Sequence, residues 1–397
     1  MMKLKKRTFL ILMAALTATF ASAQKQPLPE WQSQYAVGLN KLAPHTYVWP
    51  YADASDIGKP GGYEQSPYYM SLNGKWKFNW VKNPDNRPKD FYQPSYYTGG
   101  WADINVPGNW ERQGYGTAIY VNETYEFDDK MFNFKKNPPL VPSAENEVGS
   151  YRRTFKVPAD WKGRRVVLCC EGVISFYYVW VNGKLLKEHF GGFLPVIVDV
   201  TSSLKYGEDN VITVWADNSD DPSYPPGKPQ DALDFAYFGG IYRDCWMIVH
   251  NKVFITDPNY ENETAGGGLF VSFDKVSEQS AQLKLDAHIR NTSGKSFSGK
   301  IIYELYDRDD KRVLSKETGL SVSKDLAKQI SCKVTVETPH LWSPDSPYLY
   351  KLHIYIKDKA GNTIDGYYRR IGIRSIEFKG KDGFWLNGKP YPYPLMG

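Results

Sequence analysis

The chain has 397 residues, of which 42% are hydrophobic, 23% are charged and 15% are aromatic. This composition supports a large buried core and excludes a disordered chain or one inserted in a membrane. The formal charge is +5, but the four basic residues Lys3, Lys5, Lys6 and Arg7 stand at the N-terminus, which leaves 45 basic against 44 acidic residues. The rest of the chain therefore has a net charge near zero, which gives no electrostatic argument for a nucleic-acid partner.

The first 23 residues have the pattern of a secretory signal peptide. A basic start, Met1–Arg7, precedes the apolar run Phe9–Phe20 and the small residues Ala21, Ser22 and Ala23. The apolar run is shorter than the roughly 20 residues that span a bilayer. We therefore expect cleavage after Ala23 and a secreted or periplasmic mature protein, in a compartment where disulfides form.

The four cysteines follow neither the spacing of a zinc site nor that of a disulfide-rich scaffold. Cys169 and Cys170 are adjacent, so their side chains point to opposite faces of a strand. Cys245 and Cys332 lie in apolar, strand-like runs. The sequence predicts buried, unreactive thiols.

The first half of the mature chain has the pattern of an antiparallel β-sandwich. Residues Ser175–Val181, the dipeptide Asn182-Gly183 and Lys184–Leu186 predict a β-hairpin with a type I′ turn, which needs positive φ at both central residues. Further strands are predicted at Arg165–Glu171, Val196–Val200, Asn210–Ala216 and Cys245–Val249.

The chain after His250 alternates apolar and polar residues. The alternation is clear in Leu283–Ile289, Ile330–Val336 and Tyr350–Ile356. This alternation is typical of sheets with one buried and one solvent-exposed face. Its extent over about 115 residues matches an immunoglobulin-like sandwich.

General catalytic signatures are absent from the sequence, including a phosphate loop, a nucleophile elbow and a zinc-protease motif. His189 is predicted to be a surface histidine, and the carboxylate pairs Asp128-Asp129 and Asp220-Asp221 are predicted to be solvated loops. The loops are rich in Trp, Tyr, Asn and Asp, which suits a carbohydrate ligand because aromatic faces stack on sugar rings. The alternative is that the aromatic residues serve core and inter-domain packing.

Several ordered motifs decide between these alternatives. The segment Val106–Tyr125 (VPGNWERQGYGTAIYVNETY) resembles the signature of the N-terminal sugar-binding domain of family 2 glycoside hydrolases, particularly β-galactosidases. Further segments with the same resemblance follow in the family's order: Asn137–Pro142, Gly149–Phe155, Asp234–Asp244 (DFAYFGGIYRD), Leu341–Tyr350, Ile371–Glu377 and Asp382–Pro390.

The resemblance implies an all-β chain, with a galactose-binding-like jelly-roll sandwich followed by an immunoglobulin-like β-sandwich. We expect a signal peptide at 1–23, the sugar-binding domain with an N-terminal extension at 24–250, the immunoglobulin-like domain at 251–370 and, at 371–397, the truncated start of a TIM-barrel catalytic domain.

Family 2 enzymes are retaining glycosidases whose acid/base and nucleophile glutamates belong to that barrel. A barrel needs roughly 200 residues or more, so we expect this chain to lack both glutamates. The function expected from the resemblance is the N-terminal portion of a β-galactosidase that hydrolyses terminal β-D-galactosides, inactive as this chain alone. The alternatives are a stand-alone carbohydrate-binding or scaffold protein of two sandwiches and a non-functional remnant.

The resemblance carries two substrate-binding residues over to this sequence. Asn122 and Asp234 match residues that contact the galactosyl group, and a carboxylate suits that task because it accepts bonds from two hydroxyls. Turn formation is the competing role for Asn122. Arg243 and Asp244 are expected to form a structural pair. Asp217 aligns with one ligand of a magnesium ion, whereas Glu30–Ala36 depart from the family's pattern, so Mg²⁺ binding stays open. Relatives often form dimers or tetramers, which implies a homo-oligomer.

Overall fold

The computed structural model describes residues 38–39, 49, 51, 53–59, 63–117, 119–121, 146–174, 176–190, 194–217, 235–257 and 267–391. At 38–39, 119–121, 187–190, 217 and 235–237 it describes the backbone alone. The predicted signal peptide, Asn122, Asp234, the two carboxylate pairs and Glu30–Ala36 lie outside the described residues. Within the described ranges, no helix has the length and apolar character needed to cross a membrane.

The regular structure of the described chain is mostly β-strand, with a few short helices. The strands of its first part are β1 (Gly38–Leu39), β2 (Tyr69–Ser71), β3 (Gly74–Val81), β4 (Ala102–Val106), β5 (Ile119–Val121), β6 (Val148–Lys156), β7 (Arg165–Cys170), β8 (Val173–Ile174), β9 (Phe176–Val181), β10 (Lys184–Phe190), β11 (Val196–Asp199), β12 (Asp209–Asp217), β13 (Phe235–Tyr237), β14 (Gly240–Ile241) and β15 (Cys245–His250). Short 3-10 helices occur at Ala54–Asp56, Pro84–Asn86, Glu111–Gln113, Ala159–Trp161, Thr201–Ser203 and Gly380–Asp382.

The second part contains β16 (Val253–Ile255), β17 (Leu269–Asp274), β18 (Ser280–Asn291), β19 (Phe297–Tyr306), β20 (Arg312–Val322), β21 (Ala327–Glu337), β22 (Tyr350–Asp358), β23 (Thr363–Ile371), β24 (Ile376–Phe378), β25 (Phe384–Leu386) and β26 (Lys389–Pro390). The last three strands form a small separate sheet.

The first sandwich packs a seven-stranded sheet, in the order β1-β10-β9-β12-β6-β3-β4, against a four-stranded sheet, β11-β7-β15-β2. Its pairs are antiparallel, and the side chains between the sheets form one large core that includes Trp76, Trp110 and Trp161. The hairpin predicted at Asn182-Gly183 is confirmed, with φ of 52° and 82° at the two turn residues. The predicted strands of this half are also present.

The second sandwich packs β18, flanked by β16, β17 and β21, against the sheet β20-β19-β22-β23. The predicted alternation is confirmed, because Leu283, Leu285, Ala287 and Ile289 face the core from β18. Matching core positions come from β22. The expected fold class, two successive β-sandwiches, is therefore what the chain adopts.

The four cysteines are buried free thiols, as predicted. Cys170 points into the core between the sheets, whereas Cys169 lies on the other face with Trp246. Cys245 pairs directly with Cys170 across β15 and β7, and their sulfur atoms are 3.4 Å apart.

Buried polar contacts join the two sandwiches. The Arg165 guanidinium lies 3.5 Å from Asp257, and the Asn251 side chain donates to the carbonyl oxygen of Ile364 at 3.0 Å. Beside this junction, within the second sandwich, the fully buried Asp365 of β23 accepts a 2.8 Å hydrogen bond from the backbone N–H of Ile255 in β16. Because such groups are costly to bury without partners, the contacts of Arg165 and Asn251 fix how the sandwiches meet, and the contact of Asp365 fixes β16 against β23.

The later family-like motifs meet around one tryptophan of the second sandwich. Trp342 donates its backbone N–H to the carbonyl oxygen of Ile373, and Asn387 donates to the carbonyl oxygen of Trp342. A Cβ on Gly372 would lie 2.7 Å from the Trp342 side chain, and the Arg374 guanidinium stacks on the indole ring at 5.1 Å. Residues far apart in the sequence therefore build a single junction.

Candidate functional site

The segment that resembles the family signature forms a tight loop after β4. The Gln113 side chain accepts from the backbone N–H of Asn105 at 2.8 Å and donates to the Asn105 carbonyl oxygen at 3.0 Å. Gly114 ends the short helix Glu111–Gln113 with φ of 93°, a left-handed conformation that favours glycine. The loop is therefore shaped by its own side chains as well as by packing.

Trp110 anchors this loop in the core and is wholly buried. Its indole occupies the space that two glycines leave open: a Cβ on Gly239 would lie 2.1 Å from the ring, and one on Gly149 would lie 2.7 Å from it. The glycines of the segments Gly149–Phe155 and Asp234–Asp244 are therefore needed for the packing of a tryptophan in Val106–Tyr125. Three motifs that are separate in the sequence interlock at this point.

The backbone around Gly239 is held by the same loop. Gly108 donates its N–H to the Ile241 carbonyl oxygen at 2.8 Å, and the Asn109 side chain donates to the Gly239 carbonyl oxygen at 3.3 Å. The Gly239 N–H in turn donates to the Glu111 carboxylate at 2.7 Å. The strand β13, which ends just before this point, is thus fixed relative to the signature loop.

The segments Val106–Tyr125 and Asp234–Asp244 also form a two-stranded antiparallel ribbon. Strand β5 pairs with β13, and the last described pair is Val121 with Phe235. In the chain, Asn122 follows Val121 and Asp234 precedes Phe235. Both predicted sugar-binding residues lie outside the described residues, and their assignment stays a prediction.

Two carboxyl groups near this ribbon, those of Glu111 and Glu147, have raised pKa values, which the sequence did not indicate. Burial raises the pKa of Glu111 to about 7, although its bond from the Gly239 N–H acts in the opposite direction, and the charge of Glu147 raises it further. Burial also raises the pKa of Glu147, which accepts from the backbone N–H of Thr117 at 3.2 Å. Glu111 stands inside a quoted motif, but only the tertiary packing shows that its carboxylate is removed from water.

The expected pair of Arg243 and Asp244 is not formed. Asp244 instead accepts a 2.8 Å hydrogen bond from the Asn73 side chain, whose oxygen accepts from the backbone N–H of Cys245. The Arg243 guanidinium lies over the Tyr242 ring at 5.6 Å. Neighbours in an extended chain point to opposite sides, and this geometry separates the two charges.

Within the described ranges, no group of three His, Cys, Asp or Glu side chains is arranged to hold a metal ion. Asp217, the expected magnesium ligand, ends β12, where the backbone alone is described, and its partners near Glu30–Ala36 lie outside the description. The described residues therefore provide no set of ligands on which a metal-dependent step could be built.

Two cavities share a stacked pair of rings in their lining, Trp49 and Tyr63, whose ring centroids are 4.3 Å apart. One cavity, of about 380 Å³, is lined by three carboxylates, Glu64, Glu171 and Asp244. The other, of about 640 Å³, opens between the second sandwich and the N-terminal segment, which is described at 49, 51, 53–59 and 63. Sequence reasoning did not identify either cavity, because each combines residues from distant segments.

Comparison with known families agrees with this architecture. Residues 69–251 match the model described as glycosyl hydrolases family 2, sugar binding domain, and residues 268–374 match the model described as glycosyl hydrolases family 2.

Similar proteins include a β-galactosidase of Priestia megaterium, 32% identical over 369 residues, which covers 91% of this chain and 33% of that protein. A β-galactosidase of Halalkalibacterium halodurans is 30% identical, with 88% of this chain and 32% of the relative covered. A β-glucuronidase of Formosa agariphila is 27% identical, with 80% of this chain and 31% of the relative covered. The chain spans about a third of the length of these relatives.

Solved structures show the same fold. A Bacteroides uniformis β-glucuronidase 2 superposes with a TM-score of 0.62 at 23% identity, covering 81% of this chain and 34% of the other. A putative β-galactosidase from Bacteroides fragilis superposes with a TM-score of 0.60 at 26% identity, covering 81% and 43%. On these matches the chain belongs to glycoside hydrolase family 2, of which it contains the sugar-binding domain and the immunoglobulin-like domain that follows.

Proposed function

We propose that this chain is the sugar-binding portion of a retaining β-galactosidase, an enzyme that hydrolyses terminal β-D-galactosides. In this proposal Asn122 and Asp234 hydrogen-bond hydroxyls of the galactosyl group. The observation that supports the proposal is the pairing of Val121 with Phe235, because these residues are the chain neighbours of Asn122 and Asp234. Because consecutive Cα atoms are about 3.8 Å apart, Asn122 and Asp234 are each one residue away from the same backbone pair.

The contacts at the base of the ribbon support the same role. Trp110 is packed against Gly239, and the Glu111 carboxylate binds the Gly239 N–H, so the two segments leave the core in a fixed relation. A site that must hold sugar hydroxyls benefits from such support because little ordering remains to be done on binding. By family resemblance the two catalytic glutamates belong to a barrel, so we expect the 397-residue chain alone to bind galactosides without hydrolysing them.

Calorimetric titration of the full chain with methyl β-D-galactoside and methyl β-D-glucoside tests the proposal. These ligands differ in the orientation of one hydroxyl, and we expect the galactoside to bind more tightly. Asp234→Ala and Asn122→Ala should each weaken galactoside binding by roughly tenfold or more, since hydrogen bonds to a charged group are among the stronger ones. Asp160→Ala, at an exposed position of the short helix Ala159–Trp161, is the matched control. Equal binding of both sugars, or binding unaffected by Asp234→Ala, contradicts the proposal.

A second experiment separates the enzyme from a stand-alone binding protein. The purified chain is assayed with a chromogenic β-galactoside, and the DNA downstream of codon 397 is sequenced. A downstream barrel with two glutamates supports the enzyme, whereas a stop codon favours the binding protein. Hydrolysis by the pure chain that is lost in Asp234→Ala would overturn the expectation that the catalytic groups lie elsewhere.

A further inference from the structure

The larger of the two cavities lies between the N-terminal segment and the outer face of the second sandwich. Tyr51 and Ile57 pack against Ile302 and Tyr355 on that face, and Gly366 allows the contact because a Cβ there would lie 2.9 Å from the Ile57 side chain. The resulting cavity has a volume of about 640 Å³. Cavities of roughly 300–1,000 Å³ at domain interfaces are common small-molecule sites.

The charge of this cavity is predominantly positive. Three cationic side chains, Lys59, Lys351 and Arg370, line it together with one carboxylate, Asp310. Lys351 is engaged with Asp310 at 2.6 Å, and Lys59 with Asp56 at 2.9 Å. For Arg370, in contrast, the described part of the chain offers no ion-pair partner, and its side chain is exposed. An uncompensated guanidinium at a cavity wall is suited to bidentate recognition of an anion.

The walls of the cavity are aromatic. Tyr63 stacks on Trp49, and Tyr368 packs edge to face on His353 with ring centroids 5.6 Å apart. Burial lowers the pKa of His353, so this ring is neutral at pH 7. Gly58, with φ of 79°, passes so close that a Cβ would lie 2.7 Å from the His353 ring nitrogen Nε2. Aromatic rings beside a cation suit a ligand that has an apolar face and a negative charge, a combination found in acidic sugars.

The neighbouring cavity, of about 380 Å³, is lined by carboxylates instead of cations. It is also lined by Trp49 and Tyr63 and presents Glu64, Glu171 and Asp244, with no Lys, Arg or His among the described residues that line it. The described linings of the two cavities therefore carry charges of opposite sign.

We propose that the cavity lined by Lys59, Lys351 and Arg370 binds an acidic saccharide, a sugar that carries a carboxylate. Arg370 holds the carboxylate and Tyr63 and Tyr368 contact the ring. None of the residues that line the cavity belongs to the segments Val106–Tyr125 or Asp234–Asp244. The site is thus separate in composition from the one proposed for galactosides, and it does not depend on that proposal.

Titration of the full chain with D-galacturonate and with D-galactose, followed by calorimetry, tests this site. We expect Arg370→Gln to weaken galacturonate binding by roughly tenfold or more and to leave galactose binding unchanged. Lys316→Gln, which removes an exposed positive charge from the same sandwich away from the cavity, should change neither. Asp234→Ala should leave galacturonate binding intact, which distinguishes this site from the galactoside site.

Three outcomes would overturn the proposal. The first is galacturonate binding no tighter than galactose binding, and the second is galacturonate binding that survives Arg370→Gln. The third is inorganic sulfate that competes as strongly as galacturonate, since the site would then recognise a bare anion instead of a sugar. Arg370→Lys adds a further check: it keeps the charge but loses the bidentate geometry, so intermediate affinity is expected.

Discussion

The Glu111 carboxylate accepts a 2.7 Å hydrogen bond from the backbone N–H of Gly239, a residue 128 positions away in the sequence. This bond ties the signature loop to the segment that leads from Asp234. It is made by a carboxyl group whose burial favours the protonated form. The stability of the base of the proposed site should therefore depend on pH.

Glu111→Gln keeps an oxygen that accepts from Gly239 but removes the ionisation. The pKa of Glu111 is about 7 in the fold against an ordinary value of 4.5, so the folded state binds more protons between these values. The free energy of unfolding of the wild type should then fall, relative to the variant, as pH rises from about 4.5 to about 7. We expect a difference of about 1–2 kcal/mol above that window, less than the full shift implies because the group is partly exposed.

Denaturant unfolding at pH 5 and pH 8 measures this difference. Glu278→Gln removes a carboxylate whose side chain is 75% exposed and serves as the control, with no pH-dependent effect expected. If the wild type and Glu111→Gln keep the same relative stability at both pH values, burial does not perturb this carboxyl as described.

Gly239→Ala should destabilise the first sandwich. The added Cβ would lie 2.1 Å from Trp110, inside a core where neither side can move freely, and overpacking of this kind costs about 1–3 kcal/mol. Gly100→Ala, where nothing lies within 4 Å of the added Cβ, is the control and should be nearly neutral. Thermal or denaturant unfolding reports the difference.

A double variant tests whether Trp110 is the cause of that loss. The atoms nearest the added Cβ belong to the six-membered ring of the indole, and Phe is smaller. Trp110→Phe should therefore cost less stability in the Gly239→Ala background than in the wild type. Additive effects of the two substitutions would show that the glycine is required for another reason.

Asp365 should stabilise the second sandwich, where its bond from Ile255 joins β23 to β16. Asp365→Ala leaves the buried Ile255 N–H without this acceptor, and we expect a loss of about 1–3 kcal/mol in unfolding free energy. Burial raises the pKa of Asp365 to about 7, so Asp365→Asn should be less destabilising than Asp365→Ala, especially at pH 8, where the wild-type carboxylate is charged. Asp345→Ala, on the exposed surface, is the control for chemical unfolding. Equal losses in the Ala and Asn variants at pH 8 would argue against this role.

The Cys245 thiol should react slowly in the folded protein. The neighbouring Cys170 thiol and complete burial raise the pKa of Cys245, so little thiolate forms at pH 8. Alkylation followed by mass spectrometry should show little modification of Cys245 in the native state and full modification after denaturation. Ser296→Cys places a thiol on the surface as a positive control. Modification of Cys245 as fast as that of the surface thiol would contradict the buried geometry.

Several elements of the fold were predictable because their signals are local. The turn at Asn182-Gly183 needs positive φ at both positions, and the alternation in Leu283–Ile289 defines a buried face by itself. The expected pairing of Arg243 with Asp244 was wrong, because adjacency in sequence gave no information about Asn73, which lies 171 residues from its partner Asp244.

The sequence by itself determined the fold class, the order of the two sandwiches and the family, because periodicity, turn residues and ordered motifs are local features of the chain. Only the tertiary structure decided that Trp110 fits between Gly149 and Gly239, that the Glu111 carboxylate binds the Gly239 N–H, and that Arg370 faces a cavity with Lys59. These features arise from contacts between residues far apart in the chain. Burial, charge and close approach depend on such contacts, and no local pattern encodes them.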